Sequence, residues 1–421
     1  MKILWITNMP LPEHSRMLGL PENNLGGWLS GLLDAIRHIP DVSIAVASSV
    51  TKNKCQFSVH DNDNVRFYAV PCSNMQECNA ETVEMYRRIN DEWHPDLVHF
   101  HGSEYFHGLL AVKHVFSAPC LLSIQGILSG SYPWCCGNLF DREIQKTLKD
   151  KLLNRSCFSR KQLWKRCAER ERLIWQNIRY FGGRTEWDRS FVRVLNPSGR
   201  YFHMPELLRA EFYQNSHSRQ KEQVIPYSIF CNLSCDPLKG AHLLLAAAAH
   251  LKKKYPVRLF ALGKKPPERN LKSVLLGNSY PNYLGRLIRE GGLADSIEWL
   301  GSIPASEMIH HFVHCSVYAH TSMIENSSNA VCEAQMCGCP VVAFHCGGIP
   351  SLVQSGETGL LASHGDIYDL CDKLETMMTN TDLAEKISQK ARIVASSRHD
   401  KETSVRTIMN AYKTIIDAEK E

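Results

Sequence analysis

Short continuous apolar runs alternate with helical stretches along this chain, and the alternation starts afresh near residue 227. The runs 2–7, 42–49, 65–70, 96–101, 118–125 and 177–182 read as strands, with helical patterns at 26–39, 80–93 and 105–116 between them. A strand that is apolar on both faces needs cover on both, which is the situation of a parallel sheet wrapped by crossover helices. The second series, 227–232, 257–262, 296–300, 317–321 and 340–344, predicts a second sheet of the same kind, with a helix at 240–255 directly after its first strand. A length of 421 residues also favours two domains. The expected class is therefore α/β, two doubly wound Rossmann-like domains facing a cleft. The first is placed at 1–205, a polar joining segment at 206–226 and the second domain at 227–399. The last helix, 400–421, carries a stripe of Val405, Ile408, Met409, Tyr412 and Ile415–Ile416. That stripe suits packing back on either domain, and the helix is assigned to the first.

Composition narrows the function. A net charge of +5 and a pI near 8.4 are too mild to argue for nucleic acid, and no nucleic-acid module is visible. Sixteen cysteines show no paired spacing of the zinc kind, and several lie in apolar runs, so free thiols and no metal site are expected. The opening MKILWITNMP is too short for a signal-peptide core, and no run approaches the ~18 apolar residues of a spanning helix. A cytoplasmic protein, soluble or bound at the inner membrane face, is the expectation.

In open α/β sheets ligands bind beyond the carboxyl ends of the strands, so the loops there hold the candidates. Gly26–Gly27 open a helix after the first strand. Such an N-terminus presents unpaired N–H groups that suit a phosphate. Lys239–Gly240 follow the strand that ends at Asn232, where a lysine can reach a diphosphate as a point charge. His101, with Gly102 to Glu104, and Gln125–Gly126 end two strands of the first half.

The densest candidate is TSMIENSSNAVCEAQMCGCPVVAFHCGGIPSLVQSGETGLL, residues 321–361. Ser327 or Ser328 reads as an N-cap, 329–337 as the helix and Gly338 as its stop. Glu325 then stands just outside the N-terminus and Glu333 inside it. Acids here could simply complement the helix dipole, yet they are also groups that accept hydrogen bonds from sugar diols. A further stretch, 142–172, is rich in Lys and Arg with Leu163 and Trp164 between them. It reads as a solvated face or as a peripheral membrane contact.

Glu325 and Glu333, the G-x-P-V-V at Gly338–Val342, Gly347–Gly348–Ile349–Pro350 and G-x-x-G-L-L at Gly356–Leu361 together resemble retaining glycosyltransferase family 4. Lys239–Gly240, Gly26–Gly27 and IEWLGSIPASEM at 297–308 fit the same pattern. The resemblance implies the two-domain GT-B fold and transfer of a sugar from a nucleotide-diphosphate sugar, with retention and without a metal or cofactor. It implies that Glu325 contacts the donor sugar, Glu333 the ribose, and Lys239 the diphosphate. Backbone groups near Ser328, Asn329, Gly26 and Gly27 would bind phosphate or donor sugar. It also implies a glycan or lipid-linked acceptor. FGGRTEWDR at 181–189 is similar to phrases in surface-polysaccharide enzymes, which extends the expectation to capsule or surface polysaccharide synthesis. The chain departs from the pattern twice. Asn232 stands where the family often has an arginine, and Gln125 where many members have a histidine. His101 and Arg184 are candidates to compensate. A sugar-nucleotide epimerase of the same fold and a catalytically silent nucleotide-sugar binding module are the alternatives.

Overall fold

The protein is described here from a computed structural model, which covers residues 1–21, 27–140, 143–144, 146–153, 156–214 and 219–420. The chain divides into two units.

The first unit comprises Met1–Ser129, Lys165–Arg209 and His399–Glu421. Its sheet contains β1 (Lys2–Thr7), β2 (Ser43–Thr51), β3 (Ser58–Asn62), β4 (Val65–Cys72), β5 (Leu97–His101), β6 (Cys120–Ser123), β7 (Tyr180–Gly183) and β8 (Arg200–His203), in the order β3-β4-β2-β1-β5-β6-β7-β8. Every pairing is parallel except that of β3 with β4. β1 and β5 are buried almost throughout, as their unbroken apolar runs require. One face of the sheet packs on residues of helices Ala80–Trp93 and Cys157–Asn177, among them Tyr86, Ile89, Ile174 and Trp175. The other packs on helix Gly27–Ile36 through Leu29, Leu32, Leu33 and Ile36, and on helix Lys401–Ala418 through Ile408, Tyr412 and Ile415. The Tyr412 hydroxyl receives Trp5 Nε1 at 3.2 Å and meets His99 Nδ1 at 2.7 Å, so the last helix is bonded into this core.

The second unit comprises Gly130–Trp164 and Ala210–Arg398. Its sheet contains β9 (Ile225–Asn232), β10 (Arg258–Leu262), β11 (Ile297–Gly301), β12 (Cys315–His320), β13 (Val341–Phe344) and β14 (Leu360–Ala362), all parallel, in the order β11-β10-β9-β12-β13-β14. The reversal of order between β9 and β12 is a topological switch point, where ligand sites of open α/β sheets lie.

Two sequence expectations need correcting. Residues 130–164, placed in the first domain, group with the second unit. Their polar groups are used there: His242 Nε2 meets the Gly137 carbonyl at 3.0 Å, Thr147 Oγ1 donates to the Gly277 carbonyl at 2.8 Å, and Arg286 donates to the Glu143 carbonyl at 2.9 Å. None of these long-range bonds has a periodic signature. The joining segment placed at 206–226 is not a separate element: it belongs to the first unit up to Arg209 and to the second from Ala210, and β9 begins within it at Ile225. Phe212, on the short helix Ala210–Tyr213, is buried, and Arg219 donates to the carbonyls of Phe312, Val313, Cys315 and Ser316. Strands β3, β8 and β14 were not foreseen. Each is short, and β3 is an edge strand of mostly polar residues.

Candidate functional site

The candidate site of the second unit is built at the carboxyl ends of β9 and β12. After β9 the chain makes a turn in which Asp236 accepts from Leu238 N at 3.0 Å, with Pro237 at the first position of the 3₁₀ segment Pro237–Lys239. Gly240 follows with φ +67, and a Cβ there would lie 1.9 Å from the Thr321 carbonyl oxygen. Only glycine allows that approach. The Thr321 hydroxyl donates to the Lys239 carbonyl at 3.2 Å, and Met323 N donates to the Leu238 carbonyl at 2.8 Å. These contacts hold the loop after β9 against the loop after β12. Lys239 Nζ thereby meets Glu325 Oε2 at 2.6 Å.

The carboxylate side of the pair is fixed by its own backbone. Gly348 N donates to the Glu325 carbonyl at 2.9 Å, and Gly347, at φ +50, lies so close that a Cβ would stand 2.2 Å from that oxygen. The Gly-Gly turn of the sequence is therefore the floor under Glu325. Burial opposes the charge on Glu325, but the charge of Lys239 and the hydrogen bonds from Lys239 and Ser322 outweigh it and hold its pKa below the usual value. Glu325 in turn raises the pKa of Lys239. Both groups stay charged at neutral pH. His320, at the end of β12, has Nε2 4.0 Å from Glu325 Oε2, and burial lowers its pKa to about 4, so its ring is neutral.

The helix Asn329–Met336 begins beside this pair. Ser328 is its N-cap, the side chain accepting from Val331 N at 3.4 Å, and Gly338 at φ +70 follows its end. The first N–H groups of a helix have no intrahelical partner and carry the positive end of the dipole. A pocket of about 280 Å³ opens onto this end and is lined by Asn232, Lys239, Glu325, Ser328 and Asn329, with His320 and Ser322 among the remainder. Glu333 does not line it. Its side chain lies within the helix layer at 4% exposure.

His101, Gln125 and Arg184 come together in the first unit, around a cavity of about 20 Å³ that they share with Trp28. That is room for about one water molecule. Arg184 pairs with Glu206 at 2.8 Å and lies 3.4 Å from Gln125 Oε1. His101 is buried and packs on His99 and Trp5 at centroid distances of 3.9 and 4.8 Å, with no hydrogen bond at either ring nitrogen. Burial, reinforced by His99, holds its pKa well below the usual value. Gly27 starts its helix with the Arg209 side chain 3.0 Å from where a Cβ would stand. Gly26 lies outside the described residues.

Three residues escaped the sequence reading. Asp236 caps the turn that carries Lys239 and is itself paired with Arg160 at 2.7 Å. Its signal, an Asp directly before Pro237, was available. His320 closes a predicted strand, as His101 does, and deserved equal weight. Glu206, the partner of Arg184, had no local signal at all.

These features define a class of protein, one with two Rossmann-like units and an acid–lysine pair at a helix N-terminus. Solved structures of similar fold include sucrose-phosphate synthase from Thermosynechococcus elongatus (TM-score 0.72, 14% identity, covering 99% of this chain and 100% of that one). They also include Anabaena Alr3699/HepE in complex with UDP and glucose (TM-score 0.65, 18% identity, 98% and 100% covered). The fold is GT-B. More particularly, residues 217–394 match the family model of glycosyl transferases group 1. Curated relatives include D-inositol 3-phosphate glycosyltransferases from Corynebacterium glutamicum (strain R), 29% identical over 160 residues, and Thermobifida fusca (strain YX), 30% identical over 181 residues. Those matches take in 37% and 42% of this chain and span 36% and 40% of the relatives' length.

Proposed function

We propose that the protein is a retaining glycosyltransferase that moves a sugar from a nucleotide-diphosphate sugar to a glycan or lipid-linked acceptor. The reading extends to surface or capsular polysaccharide synthesis in the cytoplasm at the inner membrane face, with peripheral membrane contact through 142–172. It needs neither metal nor cofactor. The observation that carries it is the Lys239–Glu325 pair, 2.6 Å apart, beside the N-terminus of helix Asn329–Met336 in one pocket.

When the bond between the anomeric carbon and the diphosphate breaks, the leaving group keeps the electron pair. Negative charge therefore grows on phosphate oxygens. Lys239 and the first-turn N–H groups are preorganised at one place to receive it, and stabilisation of developing charge is where such a site gains most. Glu325, held ionised, accepts hydrogen bonds from donor-sugar hydroxyls. Asn232 adds a neutral polar group at the phosphate end. Glu333 is assigned to the donor ribose, which its burial allows only if the helix start shifts or one carboxylate oxygen reaches the pocket. His101, Gln125 and Arg184 are assigned to the acceptor side, where the water-sized cavity must open to admit a ligand.

UDP-glucose is the donor to test first, because the Anabaena neighbour was also solved with it. The test is release of UDP, followed alongside a thermal-shift screen of UDP-, GDP- and ADP-sugars. A melting temperature raised by one of them, with release of its nucleotide, supports transfer. A folded sample that neither binds nor turns over any of the set sinks the reading. Binding without turnover would instead favour the silent module.

A further inference from the structure

The second unit displays two short helices, Leu148–Leu153 and Leu271–Leu276, that are far apart in sequence and bonded together. Thr147 Oγ1 donates to the Gly277 carbonyl at 2.8 Å, Ser279 N donates to Asp150 Oδ2 at 3.0 Å, and Lys149 Nζ lies 3.5 Å from Asn278 Oδ1. These bonds tie Lys149, Asp150 and the residue before the first helix to the residues that follow the second. The leucines are left outside. Leu152 is 74% exposed and Leu271 76%, and Leu148, Leu153, Leu275 and Leu276 are each 41–52% exposed. A cluster of six exposed leucines on two adjacent helices is not ordinary surface.

Charge states what covers it. The exposed ionisable side chains in these two stretches and the loop before the second are Lys151, Lys264, Lys265, Arg269 and Lys272, against the single acid Glu268. Asp150, the other acid, is buried and occupied as a hydrogen-bond acceptor. Leucines between lysines are the composition of a surface that lies in the interface of an anionic bilayer, the apolar groups entering and the ammonium groups meeting phosphate. Among the described residues no helix is long and apolar enough to cross a membrane.

We propose that the paired helices Leu148–Leu153 and Leu271–Leu276 form a docking surface for an anionic lipid bilayer. The basic stretch 142–172 supplies only half of it. The other half comes from the second unit's own loop, more than a hundred residues away in sequence. The proposal does not depend on the donor-site reading, since it uses none of the residues that line the pocket.

The test is co-sedimentation of the full chain with vesicles of phosphatidylcholine alone and of an equimolar mixture of phosphatidylcholine and phosphatidylglycerol. Binding to the mixed vesicles is expected, weakening as salt rises. Leu152→Ser with Leu271→Ser should lower the partition coefficient by roughly tenfold or more. Lys151→Glu with Lys272→Glu should lower it too and flatten the salt dependence. All four residues are exposed, so the melting temperature and UDP affinity should stay at wild-type values. Equal binding to both vesicle types, no binding to either, or a leucine variant that sediments like wild type overturns the proposal. A wild-type dimer in gel filtration that the leucine variant splits also overturns it, by assigning the surface to a second copy of the chain. Vesicle binding together with no binding of any sugar nucleotide would uphold this surface and sink the transferase reading alone.

Discussion

Lys239 Nζ lies 2.6 Å from Glu325 Oε2, joining two loops 86 residues apart in sequence. The pair puts one positive and one negative group at a single helix N-terminus, where, in the proposed transfer, a diphosphate and a sugar ring would make opposite demands. Removal of either charge should therefore act on donor turnover more than on folding. Lys239→Ala is expected to reduce turnover at least ~10-fold, a phosphate-paired charge being worth about 1.5–3 kcal/mol. Glu325→Gln keeps the shape and should lower turnover while the protein melts within a few degrees of wild type. Steady-state kinetics with UDP release reads both, and wild-type rates would remove these roles.

Asn232 lines the same pocket, and its Oδ1 only accepts from Ser234 N at 2.9 Å. It ends β9 exposed, so a longer side chain has room. Asn232→Arg should add a second cation at the phosphate end and tighten UDP binding by about tenfold. Calorimetry would show it. Unchanged or weaker affinity would mean that the diphosphate does not pass this residue.

Gly240 is held at φ +67 with the Thr321 carbonyl against its Cα. Gly240→Ala must both strain the backbone and push the loop carrying Lys239 off its seat. A loss of roughly 2 kcal/mol or more is expected, which for a unit this size lowers the melting temperature by at least about 4 °C. UDP affinity should fall with it. An alanine variant that melts and binds as wild type would show that the two loops are not locked.

Burial sets the pH response. His14, His242 and His320 are lowered from 6.5 to about 4, and His99 and His107 to about 3, each chiefly by desolvation. Their folded pKa lies below the unfolded value, so the unfolded chain takes up these protons first as pH falls. Stability is therefore lost from about pH 6.5 downward, by up to about 1.4 kcal/mol per pH unit for each histidine. Glu171 acts in the opposite sense. Burial raises its pKa to about 7 although Ser103 Oγ, Leu128 N and Ser129 N all donate to it. The unfolded chain releases this proton first, so its contribution declines as pH rises from about 4.5 to 7 and is level above. Melting curves should show a maximum near neutrality and a steep acid limb. Glu171→Gln should cost about 1–3 kcal/mol, since one oxygen no longer accepts from an N–H, and should remove the decline between those two pH values. A flat acid limb would refute the histidine assignment.

Much of this was legible in the residues. The largely apolar runs marked eleven of the fourteen strands, β6 within a longer run, because burial on both faces favours apolar side chains whatever the partners are. The Ser-Ser-Asn run located the start of helix Asn329–Met336, and Gly338 its end, because caps are local hydrogen bonds. Edge strands such as β3 and β8 were missed for the converse reason: they face solvent and need not be apolar. The Arg184–Glu206 pair was missed because nothing in sequence spacing says which charge will meet which.

Local rules, then, reach as far as the α/β class, the strand ends and the identity of Lys239 and Glu325 as candidates, since periodicity and capping act within a few residues. Three outcomes depended on contacts between segments distant in sequence. Residues 130–164 joined the second unit, the last helix was bonded by Tyr412 into the first, and Lys239 came within 2.6 Å of Glu325. Each rests on close approaches, such as Gly240 against Thr321, whose energy exists only once the sheets have assembled.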